Sequence, residues 1–223
     1  LSFLKNPDAE SVRWVEARYE RGVRANDWNE RHASAYVLGS LAEELAGAGR
    51  SAEARRINGT LQRGLSQAVS PREAAHALNA LGATGRPENL PTILEYSSNS
   101  HGTVRTAAVF ALGRLDSPEA SRALVELVSD PLVTVQARAA RALERRHLTN
   151  AELDAIARDI HAGALHKQNV RALVEIGKRH LAPSGAGAPS RTAHAAVTLL
   201  RAVLASGAAD AATKAAIRRL IHS

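Results

Sequence analysis

The sequence predicts an all-α fold, a right-handed α-solenoid of antiparallel helix pairs. Three observations predict it. The first is an internal period. Ala80-Leu81-Gly82, Ala111-Leu112-Gly113 and Ala142-Leu143-Glu144 lie 31 residues apart, and Ala77/Ala108/Ala139, Val104/Val135, Pro87-Glu88/Pro118-Glu119 and Ile93-Leu94-Glu95/Leu124-Val125-Glu126 keep that register. A period of this length suits two short helices with their turns, the repeating unit of a helical stack. The second is composition. Ala supplies 45 of 223 residues while Phe, Trp and Tyr together make 3%, so the core must be built from many small contacts between closely packed helices. The third is punctuation. Ser70-Pro71, Ser117-Pro118 and Asp130-Pro131 each set a capping residue before a proline that suits the first helical position. No sustained two-residue alternation marks a strand.

The elements follow in order. A first helix is expected over 8–24 with Val12, Val15 and Tyr19 inward, and Trp14 is spaced with them as a core or end-capping residue. Longer helices are expected over 27–47 and 51–68, split at Gly47-Ala48-Gly49. Shorter pairs follow at 70–84 with 89–97, 102–115 with 118–128, and 131–147 with 150–164, then a helix at 167–182. Val104, Ala108, Ala111, Leu112 and Leu115 form one apolar stripe at helical spacing, and Val135, Ala139, Ala142 and Leu143 repeat it. Pro183 to Pro189 is a Gly- and Pro-rich break, so 183–190 is expected to be a linker between an array at 1–182 and a C-terminal helical pair at 191–223. Within that pair, Ser190 is expected to cap a helix at 191–205, and a last helix covers 209–221.

Several function classes are excluded early. With no Cys, the chain has no disulfide, thiolate metal site or Cys nucleophile. No apolar run approaches the roughly 18 residues of a membrane span, which predicts a soluble chain. With no Met and Leu1 first, the sequence reads as a piece of a longer or processed protein. There is no Gly-x-Ser-x-Gly elbow and no phosphate loop. Of nine His residues, His161 and His166 are five apart and point away from each other on a helix, so surface or capping roles are expected for all nine. Glu43-Glu44 and Asp154 with Asp159 fit solvated helix faces. No enzyme activity, cofactor or metal is expected.

Charge is uneven. Positions 1–100 hold 12 basic and 12 acidic residues, positions 101–223 hold 17 and 10, and 25 of the 29 basic residues are Arg. A one-sided basic field suits an acidic partner.

Residues 100–115 (SHGTVRTAAVFALGRL) and 130–146 (DPLVTVQARAARALERR) resemble the second helices of HEAT repeats, in which an Asp or Asn turn precedes Val-Arg and small residues ending in Ala-Leu-Gly. Asn99, Val104, Arg105, Ala108, Ala111, Leu112 and Gly113 fit that pattern, as do Asp130, Val135, Ala139, Ala142 and Leu143. Gln136 stands where the Arg is expected and Glu144 where the Gly is, which interrupts the family's Asp–Arg ladder. The resemblance implies a stack whose second helices line a concave surface that binds proteins and, less often, nucleic acid. Residues 74–115, with their Ala-Leu-Gly, Gly-Arg-Pro and Leu-Pro-x-Ile order, also resemble the helical domain of vitellogenin-type large lipid transfer proteins. That resemblance implies one structural helical domain of a larger exported protein. It does not carry lipid transport over, because the lipid cavity of that family is walled by sheets.

The candidate site is a set of basic residues on second helices. Arg138, Arg141 and Arg145 are spaced i, i+3 and i+7 beside Arg146, Arg114 lies one repeat before Arg145, and Arg105, Arg171 and Lys178 occupy neighbouring helices. They are expected to bind an acidic protein or peptide on a non-enzymatic scaffold. Nucleic-acid binding through the same groove is the alternative. DNA-repair glycosylases of similar fold would need aromatic residues by the groove, and Trp14 and Trp28 lie in the neutral half.

Overall fold

A backbone contact that leaves no room for a methyl group sets how the first half of this protein packs. The computed structural model describes residues 7–25, 27–181 and 191–222, and among them it contains α-helices, two 3-10 turns and no strand. Two compact units divide the chain, Leu1–Ser117 and Pro118–Ser223. The expected linker at 183–190 and the expected cap Ser190 lie outside the described residues.

The first unit contains α1 (Ala9–Arg24), α2 (Trp28–Gly47), α3 (Ser51–Ser66), α4 (Pro71–Ala83), α5 (Leu90–Ser97) and α6 (Gly102–Gly113). Helices α2, α4 and α6 pack side by side as one row, with α1 on α2, α3 against α2 and α4, and α5 against α6. The row is tight because small residues meet along it. A methyl group on Gly39 of α2 would sit 2.4 Å from the Ala80 carbonyl oxygen of α4, and one on Gly82 of α4 would sit 2.6 Å from the Ala111 Cα of α6. Leu38, Leu78, Leu81 and Leu112 then close over these contacts, each fully buried.

Local signals start and stop the helices as the sequence implies. Asp8, Asp27 and Ser70 accept hydrogen bonds from the first-turn amides of α1, α2 and α4. Gly49 at φ +78° makes the break between α2 and α3, a conformation that costs Gly little.

A polar node sits beneath this row. Asn89, fully buried, ends a 3-10 turn at Pro87–Asn89. Its Nδ2 donates to Asn58 Oδ1 at 2.7 Å and to Thr84 Oγ1 at 3.0 Å, while its Oδ1 accepts from Asn58 Nδ2 at 3.0 Å and Gln62 Nε2 at 2.9 Å. The node thus joins α3 to the turns that flank α4 and α5.

The second unit contains α7 (Pro118–Leu127), α8 (Val133–Leu143), α9 (Asn150–His161), α10 (Val170–Leu181), α11 (Arg191–Ala205) and α12 (Ala211–His222). Here α7, α9 and α11 pack in succession, α8 packs on α7 and α10, and α11 also holds α10 and α12. Thr149 and Glu152 form a reciprocal capping box at the start of α9. Asn169 ends the 3-10 turn Lys167–Asn169 and donates to Gln136 Oε1 at 2.9 Å, but its buried Oδ1 has no hydrogen-bond partner.

Helix α8 is shorter than the expected 131–147. Asp130 Oδ1 accepts from the Leu132 amide at 2.8 Å, which closes a turn around Pro131 and delays the helix to Val133. At the other end the Arg146 amide bonds back to the Leu143 carbonyl at 3.0 Å, and the chain leaves the helix there.

Gly82→Ala is expected to lower stability by about 1–3 kcal/mol through overpacking, although Ala is the better helix former by about 1 kcal/mol. Gly59→Ala, whose nearest neighbour would be the Arg63 guanidinium at 3.7 Å, is expected to raise it slightly. Urea melts followed by circular dichroism compare the two. Asn89→Ala should cost about 2–3 kcal/mol in the same assay, since it strands buried partners, and more than Asn169→Ala, which breaks a single bond.

Candidate functional site

The turn that starts each repeat's second helix decides what the first candidate, Arg105, does. Asn99 Oδ1 accepts from the His101 amide, as Asp130 Oδ1 does from the Leu132 amide one repeat later. Arg105 Nη1 then donates to the Asn99 carbonyl at 2.8 Å and the Ser100 carbonyl at 3.1 Å. Gln136 Nε2 makes the equivalent bond to the Asp130 carbonyl at 2.6 Å. Both side chains tie the helix back to the residue six before it. The Gln that interrupts the sequence pattern therefore keeps its hydrogen bond, and Arg105 holds a turn.

The remaining candidates divide by unit. In the first unit Arg114 pairs with Glu43 at 2.5 Å. It is one of many such pairs there: Arg18 and Arg21 with Glu30, Arg31 with Glu73, Arg50 with Glu53, Arg56 with Glu16, and Arg86 with Glu88. In the second unit Arg138 and Arg141 stand exposed on α8 and Arg171 stands exposed on α10, which packs on α8. Arg145 is exposed too, but it lies in the turn beyond α8, so helical spacing does not align it with Arg138 and Arg141. Lys178 pairs with Glu175 at 2.7 Å, and Arg146 donates to Ser121 Oγ at 2.9 Å. Among the described residues Arg138, Arg141, Arg145, Arg171 and Arg179 form no ion pair. The second unit holds 15 basic and 9 acidic residues, so carboxylates are too few to neutralise its arginines.

The structure also places three features that sequence spacing did not reveal. Trp14 is 58% exposed while its neighbours Val15 and Tyr19 are buried, so it belongs to the surface and not to the core. His180 is buried, against the expectation of surface or capping roles. Its Nε2 accepts from the Leu148 amide at 2.9 Å and its Nδ1 lies 2.8 Å from the Ile176 carbonyl, an arrangement that fixes the Nδ1–H tautomer. The third feature is an aromatic cluster between α2 and α4. Trp28 stacks on His32 with ring centres 5.3 Å apart, His76 meets both rings edge-on at 4.7 and 3.9 Å, and the Arg72 guanidinium lies 4.6 Å over Trp28. Beside it Arg31 and Glu73 form a nearly buried ion pair at 2.5 Å. Among the described residues no group of three or more His, Asp or Glu side chains could hold a metal ion, and no helix is long and apolar enough to cross a membrane.

The helix pairs, their repeat spacing and their turn ties match a known pattern. The sequence signature of HEAT repeats covers residues 60–144. Over that stretch the chain is HEAT-like. The HEAT fold is a protein-interaction scaffold in general and typically carries no catalytic site. No curated protein matches the chain. Among solved structures, the chain is similar to a crystal structure of an engineered protein from the Northeast Structural Genomics Consortium, at TM-score 0.54 and 19% identity, covering 93% of this chain and 95% of that one. A second engineered protein from the same consortium matches at TM-score 0.47 and 16% identity, covering 97% of this chain and 65% of that one. The first match shows the all-α repeat fold alone. The resemblance to vitellogenin-type helical domains gains no support from these matches.

Burial, then the neighbouring His32 and Arg72, hold the His76 imidazole below its ordinary value of 6.5. The folded state therefore prefers neutral His76. Its contribution to stability is present in full above pH 6.5 and falls as pH drops below that value towards the lowered one. Denaturation midpoints measured from pH 7.5 down to 5.5 should fall less steeply for His76→Phe than for the native protein.

Proposed function

We propose that this HEAT-repeat protein is a non-enzymatic scaffold whose second unit captures an acidic protein or peptide segment through Arg138, Arg141 and Arg171, with Arg145 and Lys178 at the margin. The observation that carries this reading is the group of exposed arginines on α8 and α10, two helices that pack together, which form no ion pair among the described residues in a unit where basic residues outnumber acidic ones. An exposed guanidinium without a carboxylate partner offers a planar fork of donors that fits carboxylates two at a time. Its chemistry fits phosphates too. The paucity of aromatics, 3% of the chain, leaves few stacking platforms for bases and favours the peptide. Arg105 and Arg114 take a lesser part, since a partner would have to displace their present bonds.

The test is fluorescence anisotropy with a labelled oligo-glutamate peptide and with labelled duplex DNA, each over a range of salt. The triple variant Arg138→Glu/Arg141→Glu/Arg171→Glu should bind the peptide more than roughly tenfold more weakly, or about 1.4 kcal/mol, with an unchanged melting curve. Equal peptide capture by the variant would overturn the assignment. DNA binding that is tighter than peptide binding and steep in salt would assign the same face to phosphate backbones.

A further inference from the structure

We propose that the groove between α1 and α2, on the first unit, is a docking site for an amphipathic helix of a partner protein that carries basic residues at one end. The groove encloses about 700 Å³ and is open to solvent. Trp14 and Val15 of α1 and Val37 of α2 line it. Trp14 is the decisive residue. An indole 58% exposed beside an open apolar cleft is the type of anchor that dominates binding energy when a partner buries it. The Arg18 guanidinium lies over the ring at 5.4 Å, so the indole is held at the groove and one cation is fixed beside it.

The shape of the groove selects a helix. Two antiparallel helices bound it, and their side-chain ridges leave a channel that a third helix fills by the same packing used elsewhere in the row. Its lining residues on α1 run from Asp8 to Arg18. That length, about 15 Å, is spanned by roughly three helical turns, which present apolar anchors at i, i+3 or i+4, and i+7.

Charge selects the kind of helix. The α1 N-terminal end of the groove carries Asp8 and Glu10, whereas Arg18 stands at the other end. Glu44 shares the helical face of Val37, seven residues on, and adds a carboxylate on the α2 side. Glu10 and Glu44 are exposed and form no ion pair among the described residues. A partner helix with Lys or Arg at the end that lies over Glu10 and Glu44 matches this polarity, opposite in sign to the arginine face of the second unit. The two surfaces therefore bind different chemistries and are tested separately.

The experiment uses the full chain and two labelled helical peptides with identical Leu and Ala anchors, one ending in a Lys pair and the other with Glu in its place. The Lys peptide is expected to bind roughly tenfold or more tightly than the Glu peptide. Trp14→Ala should abolish that binding and keep the native helical melting curve, since Trp14 is exposed. Glu10→Lys/Glu44→Lys should reverse the preference between peptides, and Arg138→Glu/Arg141→Glu/Arg171→Glu should leave it unchanged. The proposal is overturned if neither peptide binds, if both bind equally, or if Trp14→Ala binds as the native chain does. Sedimentation velocity supplies one further outcome that would overturn it: self-association lost in Trp14→Ala would put a second copy of the chain, and not a partner helix, in the groove.

Discussion

The α2–α4–α6 row depends on helices coming close enough for their backbones to meet. Gly39 meets the Ala80 carbonyl and Gly82 meets Ala111. Ala80 and Ala111 are equivalent positions one repeat apart, so each presents the same small residue to a glycine of the preceding helix. A chain with so few aromatic residues has little with which to fill a wide gap. Close approach is then the route left to interior packing density, since dispersion is lost quickly as surfaces separate. The leucines on either side can reach full burial because the backbones between them are already in contact.

That joint also explains what α2 is. By sequence α2 shows no 31-residue match, and its length sets it apart. Yet Leu38-Gly39 occupies towards α4 the place that Leu81-Gly82 occupies towards α6. In contact terms α2 is an earlier member of the same row, lengthened and without the surrounding signature.

Much of the fold was legible because helices write their boundaries locally. Caps, prolines and glycines placed most helix ends within a few residues, and the apolar stripes at Val104 and Val135 are the buried ones except at Ala142, which is half-buried. The misses share a physical cause. Pro131 looked like the first helical residue, but the Asp130 side chain spends its acceptor on Leu132 and makes a turn instead. Trp14 fitted the period of Val15 and Tyr19 within about one residue, and on a helix one residue turns a side chain by roughly 100°. His180 and the Trp28–His32–His76 cluster depend on partners far along the chain, which a periodicity cannot report. For the candidate site, the sequence places the excess of basic residues in positions 101–223. It could not tell an arginine that ties a turn, such as Arg105, from one left exposed, such as Arg138. Both sit on second helices, and what differs is whether a carbonyl or a carboxylate lies within reach.

The glycine–alanine joint has a directional character. Helix α4 offers Gly82 to the helix that follows it in the row and Ala80 to the helix before it. A duplicated repeat inserted into the row would bring both halves of the joint and leave its neighbours' contacts complete, and the loss of a whole repeat would do the same. An insertion of one residue within α4 would rotate the glycine off its alanine and present a side chain in its place. The row is therefore tolerant of growth or shrinkage in whole repeats and intolerant of small changes in helix length, which predisposes such a chain to diversify by recombination between copies more readily than by local insertion.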